Sequence, residues 1–291
     1  MFLGLGISAG FLVTLHAQEN NGYKTNDFTV QFGAVFSGTY EAQLQDLRKL
    51  AAESTLLQRD FSTFKRTGYN FNNNTFFSAG LGFVQKKKEN SYAINPVYRV
   101  GFSYLKQNII AGEFSEELRF AQDTLRSANS NVVVYLDSVR WKNYQAVFGN
   151  EQMRLELAVQ FRTNPKLRWS FYTGAALSLG YAINTFTTIT YLESNGVSAK
   201  QGNANLIPGS NYSNFSSDLE RETIQGKNAF SASVSLPLGV DFRIGKKREL
   251  WQKAHLLFEL RPALNFQQVS GFKNITNTMA INTFGFKYDV F

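Results

Sequence analysis

The residues equipped for chemistry in this chain are few and poorly grouped. Its 291 residues include no Cys and two His, so disulfides, thiolate nucleophiles and Cys-based metal sites are excluded. Acyl transfer through an activated hydroxyl needs a base, most often His. His16 lies in an apolar leader-like stretch, which leaves His255, with Glu259 four residues on and of the same strand parity as its natural partner. A histidine satisfied by such a neighbour is more often structural than catalytic. One His cannot build a multi-ligand zinc site, and the Asp and Glu residues are scattered rather than spaced as a calcium loop. The expectation is a non-enzyme with no cofactor and no metal.

The charged residues that remain share one property. Arg99, Arg162, Arg168, Asp241, Arg243, Glu259, Arg261, Lys287 and Asp289, with Arg154 and Glu156, all fall on the parity opposite to rows of apolar residues. Those rows define the elements that must position them. Phe28, Val30, Phe32, Ala34 and Phe36 form the first, Phe77 to Phe83 the second and Ile94 to Tyr104 the third. Met153 to Phe161 and Leu167 to Tyr181 follow, then Phe230 to Phe242, Leu256 to Phe266 and Phe284 to Val290. Each runs at period two for about the 9 to 11 residues with which a tilted strand crosses a bilayer. No charge interrupts a row, and a charge facing lipid near the midplane costs roughly 2 to 4 kcal/mol. The pattern predicts an all-β chain: a transmembrane, antiparallel, up-and-down barrel of about eight strands. A β-sandwich is the soluble alternative that also alternates.

The connections alternate as well. Lys86–Ser91, Thr163–Lys166 and Gly245–Lys253 are short, whereas Thr39–Asn74, Lys106–Glu151 and Asn184–Lys227 hold dozens of residues and Gln267–Asn277 is of modest length. Short periplasmic turns opposite long extracellular loops, with both termini periplasmic, is the arrangement of outer-membrane barrels. An extra hairpin around NVVVYL (131–136) would raise the count to ten. Pro96, Pro237 and Pro262 fall inside proposed strands, where bulges are expected because Pro removes a ladder hydrogen bond. Residues 1–17 read as a secretory signal cleaved after Ala17, leaving 18–291 as one barrel domain.

With its aromatic load of 27 Phe and 13 Tyr, the chain resembles the small outer-membrane β-barrels typical of Bacteroidota, porin-like and eight-stranded. The carriers of the resemblance are WSFYTGAALSLGY (169–181), SLPLGVDFRIG (235–245) and the terminal Phe291. It implies a bacterial outer-membrane location, lipids of that membrane as partners and handling by the barrel assembly machinery. A net charge of +8 does not indicate nucleic acid, because the Lys86–Lys88 and Lys246–Arg248 runs map to turns, where lipid phosphates are near.

Two features bear on function. Six cations against three anions in the predicted lumen set (Arg99, Arg162, Arg168, Asp241, Arg243, Glu259, Arg261, Lys287, Asp289) leave an uncompensated surplus. The interior that holds them is one that eight strands make just wide enough for side chains. Glu41–Gln58 in the first loop predicts a short helix carrying Leu44, Leu47, Ala51 and Leu57 on one stripe, to be buried in the barrel mouth, at the lipid interface or against a partner. The leading expectation is a membrane-anchored scaffold that meets an unidentified partner through its loops. The alternatives are a narrow, anion-preferring pore or carrier for small or hydrophobic solutes and, third, a lipid-modifying enzyme.

Overall fold

The computed structural model describes residues 22–68, 74–86, 95–126, 133–201, 204–205, 213–245 and 247–290. The signal segment 1–17, the terminal Phe291, Ile94, Asn131, and Lys87, Lys88 and Lys246 of the basic runs lie outside them. In chain order the elements are β1 (Tyr23–Ser37), β2 (Tyr40–Glu41), α1 (Leu44–Leu50), β3 (Lys65–Thr67), β4 (Thr75–Gln85), β5 (Val97–Arg126), β6 (Val133–Arg162) and β7 (Trp169–Gln201). They continue with β8 (Ala204–Asn205), β9 (Ser213–Gln225), β10 (Ala229–Ser235), β11 (Leu238–Arg243), α2 (Glu249–Lys253), β12 (Ala254–Val269) and β13 (Ile275–Asp289).

Eight antiparallel strands close a ring: β1, β4, β5, β6, β7, the pair β10 and β11 acting as one, β12 and β13. The seam pairs β1 with β13, Phe28 facing Tyr288 and Phe32 facing Phe284. Closure leaves no unpaired ring edge. Outward side chains form an apolar belt. On β6 they are Met153, Leu155, Leu157, Val159 and Phe161, a run of roughly 27 Å along the strand. Outward apolar residues range from half-buried, as at Phe28, Leu81, Val240 and Leu256, to 62% exposed at Phe102, and a contiguous oily surface of this size on every ring strand is a lipid-facing surface. The chain is a membrane β-barrel.

Three expectations change. The register does not slip at Pro237: Ser235 faces Ala263 and Leu238 faces Leu260 on either side of it, so the ladder has a gap but no inserted residue. The Leu236 N–H still bonds the Pro262 carbonyl at 3.0 Å, which partly closes the gap. Pro262 sits in β12 without a register break, and Pro96 precedes β5. Register shifts occur elsewhere, at Thr25/Asp27, Asn108/Ile110, Ala121/Asp123, Glu151/Gln152 and Asn195/Gly196.

The second and third long connections are largely strand. β5, β6 and β7 run unbroken far past the belt, and β9 joins β7 by pairing Phe186–Val197 with Ser213–Gln225. Val133–Leu136 therefore extends β6, and the ring stays at eight. From Gln107 to Arg126, β5 projects roughly 65 Å along the strand. The result is a sheet of four long strands, β5-β6-β7-β9, standing on one side of the mouth.

The predicted first-loop helix is shortened to Leu44–Leu50. It ends there because the chain folds back on it: Arg48 donates Nε to the Leu57 carbonyl at 2.8 Å and its terminal nitrogen to the Arg59 carbonyl at 3.1 Å. Ser54 Oγ accepts the Leu57 N–H at 3.0 Å, a local turn bond that competes with helix.

Candidate functional site: a filled lumen and a projecting sheet

Inward side chains fill the ring in layers. At the short-turn end lies a charged floor. Asp27 of β1 pairs with Arg99 of β5 at 2.8 Å, and Lys287 of β13 bonds Asp241 of β11 and lies 3.3 Å from Asp289. His255 sets Nδ1 against Asp241 at 2.5 Å and Nε2 at 3.1 Å from Asp289. Its predicted partner Glu259 instead binds Arg261, which donates Nε to Glu259 at 2.8 Å and one terminal nitrogen to Glu156 at 2.6 Å. Arg154, on the same level, donates to Ser233 at 2.6 Å. Glycines make room for these groups: a Cβ on Gly82 would stand 2.8 Å from the Asp27 carboxylate, and one on Gly239 would overlap the Tyr172 ring.

Above the charges sits a small apolar layer of Val35, Phe76, Leu105, Ala263, Met279 and Ile281. Amides occupy the same height and above, Gln152 accepting the Ser231 hydroxyl at 2.6 Å and Asn265 donating to Asn277 at 3.1 Å. The mouth is closed by the largest cluster. Leu47, Leu50, Ala51, Leu56 and Leu57 of the first loop pack on Ile109, Ile110, Phe148, Ala182, Ile189, Ala229, Val269 and Ile275. The lumen is thus occupied from end to end, in keeping with the narrow interior of an eight-stranded ring, which side chains alone can fill.

Of the nine predicted lumen residues, the structure brings Arg99, Arg162, Asp241, Glu259, Arg261, Lys287 and Asp289 into the interior. Arg168 is outside: it lies in the turn before β7, where strand parity has no meaning, and its guanidinium stacks 5.0 Å over the outward Phe242 ring. Arg243 ends at the rim, tied to the Lys166 carbonyl. The expected cation surplus disappears with them. Counting Arg, Lys, Asp and Glu, the interior holds Arg99, Arg154, Arg162, Arg261 and Lys287 with Asp27, Glu156, Asp241, Glu259 and Asp289, five against five, and His255 stands between Asp241 and Asp289. Asp27 was the omission that mattered, although its parity with Gln31 and Gly33 marks it as inward.

The first-loop residues end as cap core. Leu47 and Leu57 are fully buried and Ala51 nearly so, while Leu44 is half-buried. They face inward, not toward a partner. The cap is held to the projecting sheet by two carboxylates of β9. Glu222 accepts the Ser54 hydroxyl at 2.7 Å, the Thr55 hydroxyl, and the Leu56 N–H at 3.5 Å. Burial alone would raise its pKa, but the hydrogen bonds from Thr55, Ser54 and the loop backbone outweigh that and hold it below the usual glutamate value. Glu220 takes a two-pronged bond from Arg59 at 2.9 and 2.7 Å, which lowers its pKa. Arg59 also stacks 5.1 Å over the Tyr191 ring. Beneath it Phe61, Phe64, Phe114, Tyr144 and Tyr191 form an aromatic cluster on the inner face of the sheet.

No family model and no curated protein matches the chain. Among solved structures, it is similar to Ail, the attachment invasion locus protein of Yersinia pestis, at 10% identity and a TM-score of 0.27, over 90% of this chain and 99% of that one. It is also similar to the translocator domain of the autotransporter NalP from Neisseria meningitidis, at 8% identity and a TM-score of 0.17, over 98% and 95%. Likeness of this degree has no bearing on what the barrel does. The assignment as a membrane β-barrel rests on this chain's own ring, belt and filled lumen.

Proposed function

We propose that the protein is a non-conducting anchor in the bacterial outer membrane that presents its projecting sheet to a partner outside the cell, with both termini on the periplasmic side. One observation carries this reading. The interior is occupied by balanced charges, amides and an apolar cap, while the four long strands β5, β6, β7 and β9 continue well beyond the lipid belt. A solute has no path through such an interior, and rigid elements held clear of the membrane are where binding residues concentrate. The pore alternative leaned on a surplus of lumen cations, which the five-to-five balance removes.

Cysteine scanning and conductance test the proposal together. Cys introduced at Thr223 on β9 should react with an impermeant maleimide on intact cells, whereas Cys at Lys247 in the opposite turn should react only after lysis. The purified protein in planar bilayers should give no steady single-channel current. Labelling with the opposite polarity, or fractionation with the inner membrane, sinks the topology. A stable unitary conductance sinks the closed anchor and promotes the pore.

A further inference from the structure

At the short-turn end the outward apolar rows stop at two neighbouring rings. Trp169 of β7 and Phe242 of β11 face each other across the ladder with ring centroids 4.6 Å apart. Trp169 is exposed, and the Arg168 guanidinium lies 5.0 Å over the Phe242 ring. Aromatic rings of this kind mark the level at which lipid hydrocarbon gives way to headgroups.

The turn that follows carries a cleft of about 390 Å³, lined by Ile244, Gly245, Lys247, Arg248 and Trp251. Small-ligand sites have volumes of this order. The cleft starts two residues beyond Phe242, roughly 7 Å along the strand. That places it within the headgroup layer, which adds roughly 5 to 8 Å to each side of the hydrocarbon. Backbone bonds fix its shape: the Gly245 N–H donates to the Trp251 carbonyl at 2.9 Å and the Ile244 N–H to the Ala254 carbonyl at 3.0 Å. A Cβ on Gly245 would overlap the Trp251 Cβ, so glycine is what lets the tryptophan fold back against the strand end. Trp251 stays 44% exposed. The one carboxylate between Gly245 and Lys253 is Glu249, 3.1 Å from Lys253. Lys247 and Arg248 are exposed and have no ion pair among the described residues.

We propose that this cleft binds the headgroup of an anionic phospholipid, with Lys247 and Arg248 on the phosphate and Ile244 and Trp251 against the glycerol and the first acyl carbons. Basic residues at this depth attract anionic lipid, and tryptophan belongs at the same level because one end of its ring system is apolar and the other polar. A free anion meets the same two cations only through salt water, which screens exposed charges. A lipid phosphate is already held at that height by its chains, and the apolar wall of the cleft offers those chains a surface that a free anion cannot use. The site rests on the lipid belt alone; only the leaflet it meets, the periplasmic one, rests on the topology proposed above.

Nanodiscs made from equal parts of phosphatidylglycerol and phosphatidylcholine offer both lipids to both ends of the barrel. On release from them, the purified protein should retain phosphatidylglycerol in preference, as read by native mass spectrometry. Lys247→Ala combined with Arg248→Ala should lower the retained ratio of the two lipids roughly thirtyfold, from ~1 kcal/mol for each cation at ~1.4 kcal/mol per decade. Lys49→Ala combined with Lys65→Ala, both exposed at the mouth end, removes the same charge and should leave the ratio unchanged. A wild-type protein without the preference overturns the proposal, as does a turn variant that keeps it or a mouth variant that loses as much. A preference abolished by excess inorganic phosphate makes the cleft an anion site and overturns the lipid. Should the turn variant fail to fold, phosphatidylglycerol with a photoreactive headgroup decides on the wild type: attachment within Gly245–Lys253 supports the site, and attachment only elsewhere refutes it. Loss of the lipid preference leaves the closed anchor standing, and inverted cysteine labelling leaves the lipid preference standing.

Discussion

Replacing Arg261 with Met probes the lumen at its most coupled point. The guanidinium is buried in β12, reaches Glu259 with two nitrogens at 2.8 and 2.6 Å, and reaches Glu156 at 2.6 Å with a third. It also lies 5.7 Å over the Phe76 ring. Met retains most of the stem's volume, so little of the loss comes from packing. What it removes is, among the described residues, the only cation within ion-pair distance of Glu259, which is itself fully buried. Breaking a buried pair by deleting one partner costs about 3 to 5 kcal/mol, because the charge left behind has neither water nor counterion. Glu259 is stranded and Glu156 keeps only the more distant Arg154, so a loss within that range is expected near neutral pH. That raises the unfolded-to-folded ratio by two to four orders of magnitude, at ~1.4 kcal/mol per decade.

The informative comparison is the triple variant Glu156→Gln, Glu259→Gln, Arg261→Met. It discards the same ion pairs without stranding either carboxylate, and Arg154 keeps its bond to Ser233, so the penalty should fall well below that of the single variant, toward the net worth of a few hydrogen bonds, about 1 kcal/mol apiece. Urea unfolding of the barrel in lipid vesicles, followed by tryptophan fluorescence, reads both midpoints. A single variant within about 1 kcal/mol of wild type, or a triple variant as unstable as the single, would show that water or another cation compensates the pair and that the lumen is not sealed at this level.

Glu222→Gln should loosen the cap by about 1 to 2 kcal/mol through loss of charge-assisted bonds to Ser54 and Thr55, seen as faster hydrogen exchange in Leu44–Leu57 with the barrel amides unchanged. The pH dependence follows the same groups. Glu222 and Glu220 are held below the ordinary value of 4.5, so their contribution is complete above about pH 4.5 and is lost as pH falls through the lower folded-state values; acid exchange that is flat through this range refutes the clasp. Leu47→Ser, which puts a hydroxyl into the cap core, should cost about 2 to 5 kcal/mol in cap stability, and Leu44→Ser clearly less because Leu44 is half-buried; equal effects would place the loop wrongly. Leu157→Arg at the belt should destabilise the barrel by roughly 2 to 4 kcal/mol, while Leu219→Arg on β9, 67% exposed and clear of the belt, should change urea midpoints little; parity between them contradicts the assignment of the belt.

The barrel was legible in the sequence because lipid enforces a strict rule. Every lipid-facing position must be uncharged, so the parity of Arg154, Glu156, Glu259 and Arg261 assigns each to the interior before any contact is known. Parity gives a side chain's face but not its partner. It placed Glu259 and His255 on one face, yet Glu259 binds Arg261, two residues along the same strand, and His255 meets Asp241 and Asp289 of the flanking strands β11 and β13. Partnership between strands depends on their register, which is set by the ring as a whole. Arg168 fails for a different reason: in a turn the period-two rule has no backbone to act on.

Beyond the belt the same chain loses its code. On β5, Glu113-Phe114-Ser115-Glu116-Glu117 shows no clean alternation, because no lipid penalises a charge there and one face is covered only partly, by the first loop. β5 to β7 nevertheless continue as strand, since each extension pairs with its neighbour residue by residue. The local sequence of the first loop favours helix through Gln58, but Glu222, 166 to 168 residues distant, captures Ser54, Thr55 and the Leu56 N–H and turns the chain back. A single window of sequence cannot contain that competition. Its outcome also decides which surface is available for binding: with Leu47, Ala51 and Leu57 turned into the mouth, the helix stripe that looked like a contact surface is instead the stopper. On the function proposed above, the contact surface is then expected on the projecting strands.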